Sequence, residues 1–221
     1  MILAAHQPNY LPWLGYFSKM KNSDIFVILD DVQYIRRSYI NRTRILGPNG
    51  WFYLSVPVNF NSRQKISEVT IDESFVLNSH FESIRHAYAR APNFAPFKDK
   101  ISSIYSKKYS KLIEINMELI NFIKTTLNIN TRIVYLSDTC VQAKKSELMI
   151  GLCKAFGADT YLSGQGAKNY MDDDLFARNS IRVSYHDFEH PVYPQRNKEF
   201  IKGLSAIDFI FNCKEFQDKL R

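Results

Sequence analysis

The strongest constraint on this chain is a pair of short apolar runs, Met1 to Ala5 and Ile25 to Leu29, with a helix-sized segment between them. Each run suits a buried strand, and parallel strands need a crossover of about a dozen residues or more, so the pair reads as a β–α–β unit. The crossover begins with Ala5-His6-Gln7-Pro8-Asn9-Tyr10-Leu11-Pro12-Trp13-Leu14-Gly15-Tyr16-Phe17. A connector that only joins strand to helix needs a few residues, mostly small or polar. This one carries two prolines, a glycine, His6, Gln7 and the aromatics Tyr10, Trp13 and Tyr16. Ligands of open α/β sheets bind outside the carboxyl ends of the strands. The stretch is therefore read as the floor of a binding pocket.

The second run leads directly into Asp30-Asp31-Val32-Gln33-Tyr34. Two carboxylates are thus expected at a parallel strand end, beside His6 and Gln7. Arg36, Arg37, Asn41, Arg42 and Arg44 follow, a set of donors suited to carboxylate or phosphate. A plainer reading is open at each position: the aspartates cap a helix and the arginines decorate a solvated face.

Further along, Trp51 to Val58 is β-rich and ends at a proline. Residues 59–64 form a surface loop, either a lid or a plain connection, and 66–71 a further short strand. Helical spacing over 75–91 puts Phe81, Ile84 and Tyr88 on one face and His80 elsewhere. Two lysine-bearing helices follow, over 97–106 and 112–127. Their basic run from Lys98 to Lys111 reads as solvated surface or as a phosphate-backbone contact.

The α/β pattern resumes with a strand at 132–136, a helix at 146–156 stopped by Gly157, and a strand at 160–162. Ser163-Gly164-Gln165-Gly166-Ala167-Lys168 then reads as a turn opening onto a helix. It is either a mere tight turn or an anion contact with Lys168 as a point charge. Another strand at 181–185 precedes His186-Asp187-Phe188-Glu189-His190, whose spacing gives no clear metal set. A last helix over 205–211 carries Asp208. Alternating strands and helices predict an α/β fold: one domain over 1–221 with a doubly wound, mostly parallel sheet. The helical insertion at about 75–128 is expected to form a cap or small lobe.

Charge and cysteine content narrow the setting. A net charge of +7 favours an anionic partner, and nucleotide-sugar, nucleotide and tRNA all satisfy it. The three cysteines form no CxxC pair and read as buried thiols. The opening apolar run is too short for a signal peptide or a membrane span, and no other segment is long enough to cross a bilayer. A cytoplasmic protein without membrane insertion is expected.

His6-Gln7-Pro8-x-Tyr10-x-Pro12-x-x-Gly15-Tyr16, Asp30-Asp31-x-Gln33-Tyr34-x-x-Arg37 and Asn41-Arg42 resemble the opening of the WbqC-like protein family. Tyr161-Leu162-Ser163-Gly164 with Tyr170, and His190-Pro191-x-Tyr193-x-Gln195 with Leu204-Ser205-x-x-Asp208, extend the resemblance over nearly the whole chain. Members tend to be encoded among bacterial surface-polysaccharide genes of the O-antigen type, and some are proposed to attach an amino acid such as glycine to an amino sugar. The resemblance implies a transferase that moves an acyl or aminoacyl group to the amine of a nucleotide-linked amino sugar. An aminoacyl-tRNA or an ATP-activated acid would be the acyl source.

His6 or a carboxylate of Asp30 and Asp31 would then remove the proton. Gln7, Asn41 and Arg42 would face the oxyanion. Tyr10, Tyr16, Gln33, Arg37, Ser163, Gly164, Lys168, Tyr170, His190, Tyr193 and Gln195 would contact substrate. Two other readings stand beside this one. One is a binding protein of the polysaccharide assembly system that does no chemistry. The other is a glycosyltransferase in which Asp30 and Asp31 hold a divalent ion. Pro12-x-x-Gly15-Tyr16 also loosely resembles the HxGH region of nucleotidylyltransferases, but Pro12 and Tyr16 stand where its histidines would.

Overall fold

The computed structural model describes residues 1–169 and 171–216. In chain order the elements are β1 (Ile2–His6), α1 (Leu14–Lys21), β2 (Ile25–Ile28), β3 (Arg42–Gly47), β4 (Gly50–Ser55), β5 (Val58–Asn59) and β6 (Thr70–Ile71). Then come α2 (Asn78–Tyr88), α3 (Phe94–Tyr105), α4 (Leu112–Thr126), β7 (Arg132–Tyr135), α5 (Lys145–Phe156), β8 (Thr160–Gly164), α6 (Asp173–Arg178), β9 (Arg182–His186) and α7 (Ala206–Asn212).

Five strands form one sheet in the order β7-β2-β1-β8-β9, and every pairing in it is parallel. The chain builds outward from β1 through β2 to β7, then returns to the other side of β1 for β8 and β9. The order therefore reverses between β1 and β8. At such a reversal the crossovers leave on opposite faces and a crevice opens beyond the strand ends.

Side-chain alternation along the strands separates the two faces. Ala4, Phe26, Ile28 and Leu162 pack with Tyr16, Phe17 and Met20 of α1 and with the buried faces of α2, α3, α4 and α7. Leu3, Ala5, Ile25, Val27 and Tyr161 pack with Leu148, Met149, Leu152 and Cys153 of α5 and with Phe176 of α6. The helices of the 75–128 insertion thus share one apolar cluster with the sheet. Gly157 ends α5 in the left-handed conformation, φ +68°, which glycine adopts without Cβ strain.

Two local expectations change. Arg42 and Arg44 belong to β3, which pairs antiparallel with β4, Arg44 opposite Tyr53. Their guanidinium groups lie over Tyr53 and Trp51, centred 4.4 and 5.1 Å from the rings, while Thr43, Ile45 and Leu54 between them are buried. His80 is buried with Phe81 and Ile84, not set apart from them. Its Nδ1 lies 2.7 Å from the Tyr10 hydroxyl, and this polar partner is why a histidine is tolerated in that core.

Candidate functional site

A cleft of about 840 Å³ lies across the carboxyl ends of β1 and β8. It has two walls. His6, Tyr16 and Lys19 belong to the α1 side, and Lys145, Ser146 and Met149 of α5 to the other. Ser163, Gly164 and the short 3-10 turn Gln165–Ala167 continue β8 along the floor, while His186, Asp187 and Phe188 enter from the end of β9. Gln7 joins them from the turn after β1.

The α1 wall follows from helical arithmetic. Lys19 stands four residues after Gly15 and three after Tyr16, so it is a helix-surface neighbour of both. The Trp13 ring folds over Gly15 so closely that a Cβ there would overlap it. Trp13 meets Phe188 edge to face at 5.3 Å. Together with Asp187 these two rings separate the cleft from a neighbouring groove of about 560 Å³, lined by Arg44, Glu189, His190 and Lys202.

His6 is fixed in one tautomer. Its Nδ1 lies 3.1 Å from the Gln7 carbonyl, which can only accept, so Nδ1 carries the proton and Nε2 the lone pair. The Tyr16 ring braces it edge-on at 4.8 Å. Burial, and then the nearby Lys19 charge, pull its pKa down to about 3, opposed by the Gln7 carbonyl. His6 is therefore neutral at neutral pH.

Lys19 is only 5% exposed, and its Nζ donates to the Ala5 carbonyl at 2.8 Å. Burial lowers its pKa to about 8. Among the described residues no carboxylate pairs with it. The Tyr16 hydroxyl is buried without a hydrogen-bond partner, and desolvation raises its pKa far above the ordinary tyrosine value. On the far side, His186 Nε2 and the Ser18 hydroxyl lie 3.0 Å apart. Burial lowers the His186 pKa, with Lys19 adding to the effect and Asp187 opposing it.

The structure gathers His6, Gln7, Tyr16, Ser163 and Gly164 of the expected residues into this cleft. It takes several others elsewhere. Asp30 accepts from the Ser137 amide at 3.0 Å and the Ser137 hydroxyl at 2.6 Å, tying the end of β2 to the turn after β7. Asp31 pairs with Lys65 at 2.6 Å. The two carboxylates diverge in the turn that follows β2, where the Asp30 amide donates back to the Ile28 carbonyl, and neither lines the cleft. Among the described residues no group of three His, Cys, Asp or Glu side chains could hold a metal.

Tyr10 is fully buried, bonded to His80 and, at 2.6 Å, to Tyr105. Asn41 donates to the Val56 carbonyl at 2.9 Å, and Arg42 lies on Tyr53. Gln33 and Arg37 are exposed away from the cleft. Lys168 is exposed over the Tyr185 ring at 5.8 Å and lies outside the cleft lining. The turn it ends leads to α6, six residues preceded and opened by Asp172, Asp173 and Asp174, which does not suit an anion.

Tyr193 and Gln195 are drawn into a buried cluster around Asp208. The Tyr193 hydroxyl donates to its carboxylate at 2.7 Å and the Gln195 amide at 2.9 Å. His190 lines the neighbouring groove and stacks on Tyr193 at 6.0 Å. Tyr170 lies outside the described residues. Lys19, Lys145 and Ser146 are polar lining residues that the sequence reading missed, and His186 and Asp187 it weighed only as metal ligands. For Lys19 a signal existed, since it stands three residues after Tyr16 on the same helical face.

A parallel, doubly wound sheet with a cleft bearing basic side chains at its strand-order reversal defines an α/β protein of the kind that binds ligands at that point. The chain belongs to the WbqC-like protein family, whose model matches residues 7–219. It is also similar to the uncharacterized protein Rv1507c of Mycobacterium tuberculosis (strain ATCC 25618 / H37Rv). The two are 35% identical over 224 residues, covering 99% of this chain and 97% of that protein. Among the described residues no helix is long and apolar enough to cross a membrane.

Proposed function

We propose that the protein is a cytoplasmic transferase of bacterial surface-polysaccharide synthesis. It moves an acyl group, aminoacyl in type, to the amine of a nucleotide-linked amino sugar held in the β1/β8 cleft. One observation carries this reading: His6 lines the cleft as a neutral imidazole with Nδ1–H committed to the Gln7 carbonyl and Nε2 left as the acceptor. When the amine adds to the acyl carbon, the new C–N bond makes its N–H strongly acidic. A weakly basic imidazole suffices at that stage, so the low resting pKa of His6 is compatible with the role. Nε2 takes that proton and returns it to the carrier's oxygen as the C–O bond breaks. Asp30 and Asp31 have no part in the step, being bound to Ser137 and Lys65. The acyl source is an aminoacyl-tRNA or an ATP-activated acid, in keeping with the net charge of +7.

The test is incubation of the purified protein with nucleotide-linked amino sugars, an amino acid, ATP and charged tRNA, read by mass spectrometry. A mass gain on the sugar amine is expected, reduced by about 10²- to 10⁴-fold in His6→Gln. Binding without mass gain would replace the reading with a non-catalytic carrier. Loss of the nucleotide would replace it with glycosyl transfer.

A further inference from the structure

We infer that the cleft contains a built phosphate subsite whose fixed charge is Lys19, seated between the carboxyl ends of β1 and β8. The inference rests on the cleft being the substrate site, but not on the reaction performed there.

A lysine is almost never this buried without a partner, because an ammonium removed from water loses solvation that one carbonyl cannot restore. Among the described residues Lys19 has one hydrogen-bond acceptor, the Ala5 carbonyl, the Phe26 ring face at 6.0 Å, and no carboxylate. Its other N–H groups remain to be satisfied in a cleft that it lines. The Tyr16 hydroxyl beside it is also buried without a hydrogen-bond partner, but its electrostatic neighbour is Tyr135 of β7. An ammonium short of acceptors in the lining of a cleft fits a ligand made of acceptors. Lys145 stands on the opposite wall. A tetrahedral phosphate presents oxygens to both walls, whereas a planar carboxylate satisfies chiefly one. The charge balance agrees, since Lys19 and Lys145 face a single carboxylate, Asp187, among the lining residues.

Occupancy of this subsite changes the protonation of its neighbours. The titratable groups around it are His6 from β1, Tyr16 and Lys19 from α1, Lys145 from α5, Tyr161 from β8, and His186 and Asp187 from the end of β9, with Tyr135 of β7 beside Tyr16. Lys19 has its pKa lowered to about 8 by burial, and its charge is one cause of the low His6 pKa. An anion beside Lys19 opposes both effects, while the burial of His6, the larger cause, stays in place. The ammonium becomes fully charged, and the His6 imidazole becomes more basic. The phosphate would thus strengthen the base as well as hold the substrate.

The experiment is isothermal titration calorimetry of the full chain at pH 8.5. The ligands are inorganic phosphate, pyrophosphate and a nucleoside diphosphate, each in two buffers of different ionisation enthalpy. With Lys19 near 8, about three-quarters of a proton should be taken up per ligand molecule bound. Lys19→Met should weaken binding roughly 10- to 100-fold and abolish the uptake. It should melt no lower than the parent, because it removes an uncompensated buried charge. Zero proton uptake by the parent at measurable affinity overturns the proposal whatever the variant does. Unchanged phosphate affinity in Lys19→Met with a lowered melting temperature also overturns it and makes Lys19 a structural donor to Ala5. Acetate binding as tightly as phosphate overturns the ligand class. An absence of acyl transfer, by contrast, leaves these outcomes untouched and bears only on the reaction.

Discussion

The Tyr10 hydroxyl and His80 Nδ1 lie 2.7 Å apart across seventy residues of chain, joining the loop after β1 to the first helix of the insertion. The Ser55 backbone accepts from the other side of the imidazole, so Nδ1 is the acceptor and Tyr10 the donor. Tyr105 then donates to the Tyr10 oxygen at 2.6 Å, closing a buried chain of three side chains. Tyr10→Phe breaks both links in a fully buried site. It should cost about 1–3 kcal/mol in urea unfolding. Phosphate affinity should be unchanged, because Tyr10 does not line the cleft. A stable variant with weakened binding would return Tyr10 to the ligand site.

Two histidines make stability depend on pH in a definite direction. His6 is lowered to about 3 and His80 to about 4, mainly by burial, from an unfolded value near 6.5. The folded state refuses protons that the unfolded chain accepts. The stabilisation is complete above pH 6.5 and is lost as pH falls through the window toward about 4 for His80 and 3 for His6. His186 and His190 are lowered too and add to the loss, while Asp208, raised by burial, opposes it. The difference between parent and His80→Gln isolates one group. Between pH 6.5 and 5 the parent's unfolding free energy should fall more steeply than the variant's, by up to about 1.4 kcal/mol per pH unit. Equal slopes in the two proteins would mean that His80 titrates normally in the fold.

The sheet was legible because its strands are short apolar runs bounded by turn signals, and Gly157 marked the end of α5 unambiguously. Hairpin β3–β4 was only half legible. Arg42-Thr43-Arg44-Ile45 has the period of a strand, but the arginines drew the reading toward donors for an anion or a solvated face, when in fact they lie on the aromatics of β4. Polar residues in the motifs, including Tyr10, Asn41, Tyr193 and Gln195, were read as ligand contacts. Their partners His80, Val56 and Asp208 lie 13 to 70 positions away. Spacing along the chain carries no record of such pairings. The two walls of the cleft likewise come from α1 and α5, and only the crossover handedness of the folded sheet brings Lys19 and Lys145 to one opening.

The adjacent aspartates should separate cleanly in mutagenesis. Asp31 and Lys65 form a pair whose side chains are both more than a third exposed, so Asp31→Ala should change stability by no more than about 1 kcal/mol. It should leave phosphate binding intact. Asp30 is buried and receives two hydrogen bonds from Ser137, so Asp30→Ala leaves an amide and a hydroxyl unpaired. A loss of about 1–3 kcal/mol is expected. Denaturant titrations of both variants beside the parent decide it. A large activity loss in a fully stable Asp31→Ala would reinstate that carboxylate as a reacting group.

Gly15 permits the wall between the cleft and its neighbouring groove. Trp13 covers the glycine so closely that the methyl of Gly15→Ala would occupy the space of its indole. Trp13 is 40% exposed and meets Phe188 by one edge, so the ring can swing outward with little loss of packing. Alanine also favours the helix that starts at Leu14, by up to about 1 kcal/mol over glycine. These effects offset one another, and Gly15→Ala should melt within a few degrees of the parent. The shape of the cleft should nonetheless change. In a Trp51→Phe background Trp13 is the remaining indole of the chain, and its acrylamide quenching should rise in Gly15→Ala. Nucleoside diphosphate affinity should fall by more than that of inorganic phosphate, because only the larger ligand reaches from Lys19 to the Trp13 wall. Unaltered quenching would mean that α1 shifts to admit the methyl and the wall survives. An equal fall for both ligands would place the damage at the phosphate subsite itself.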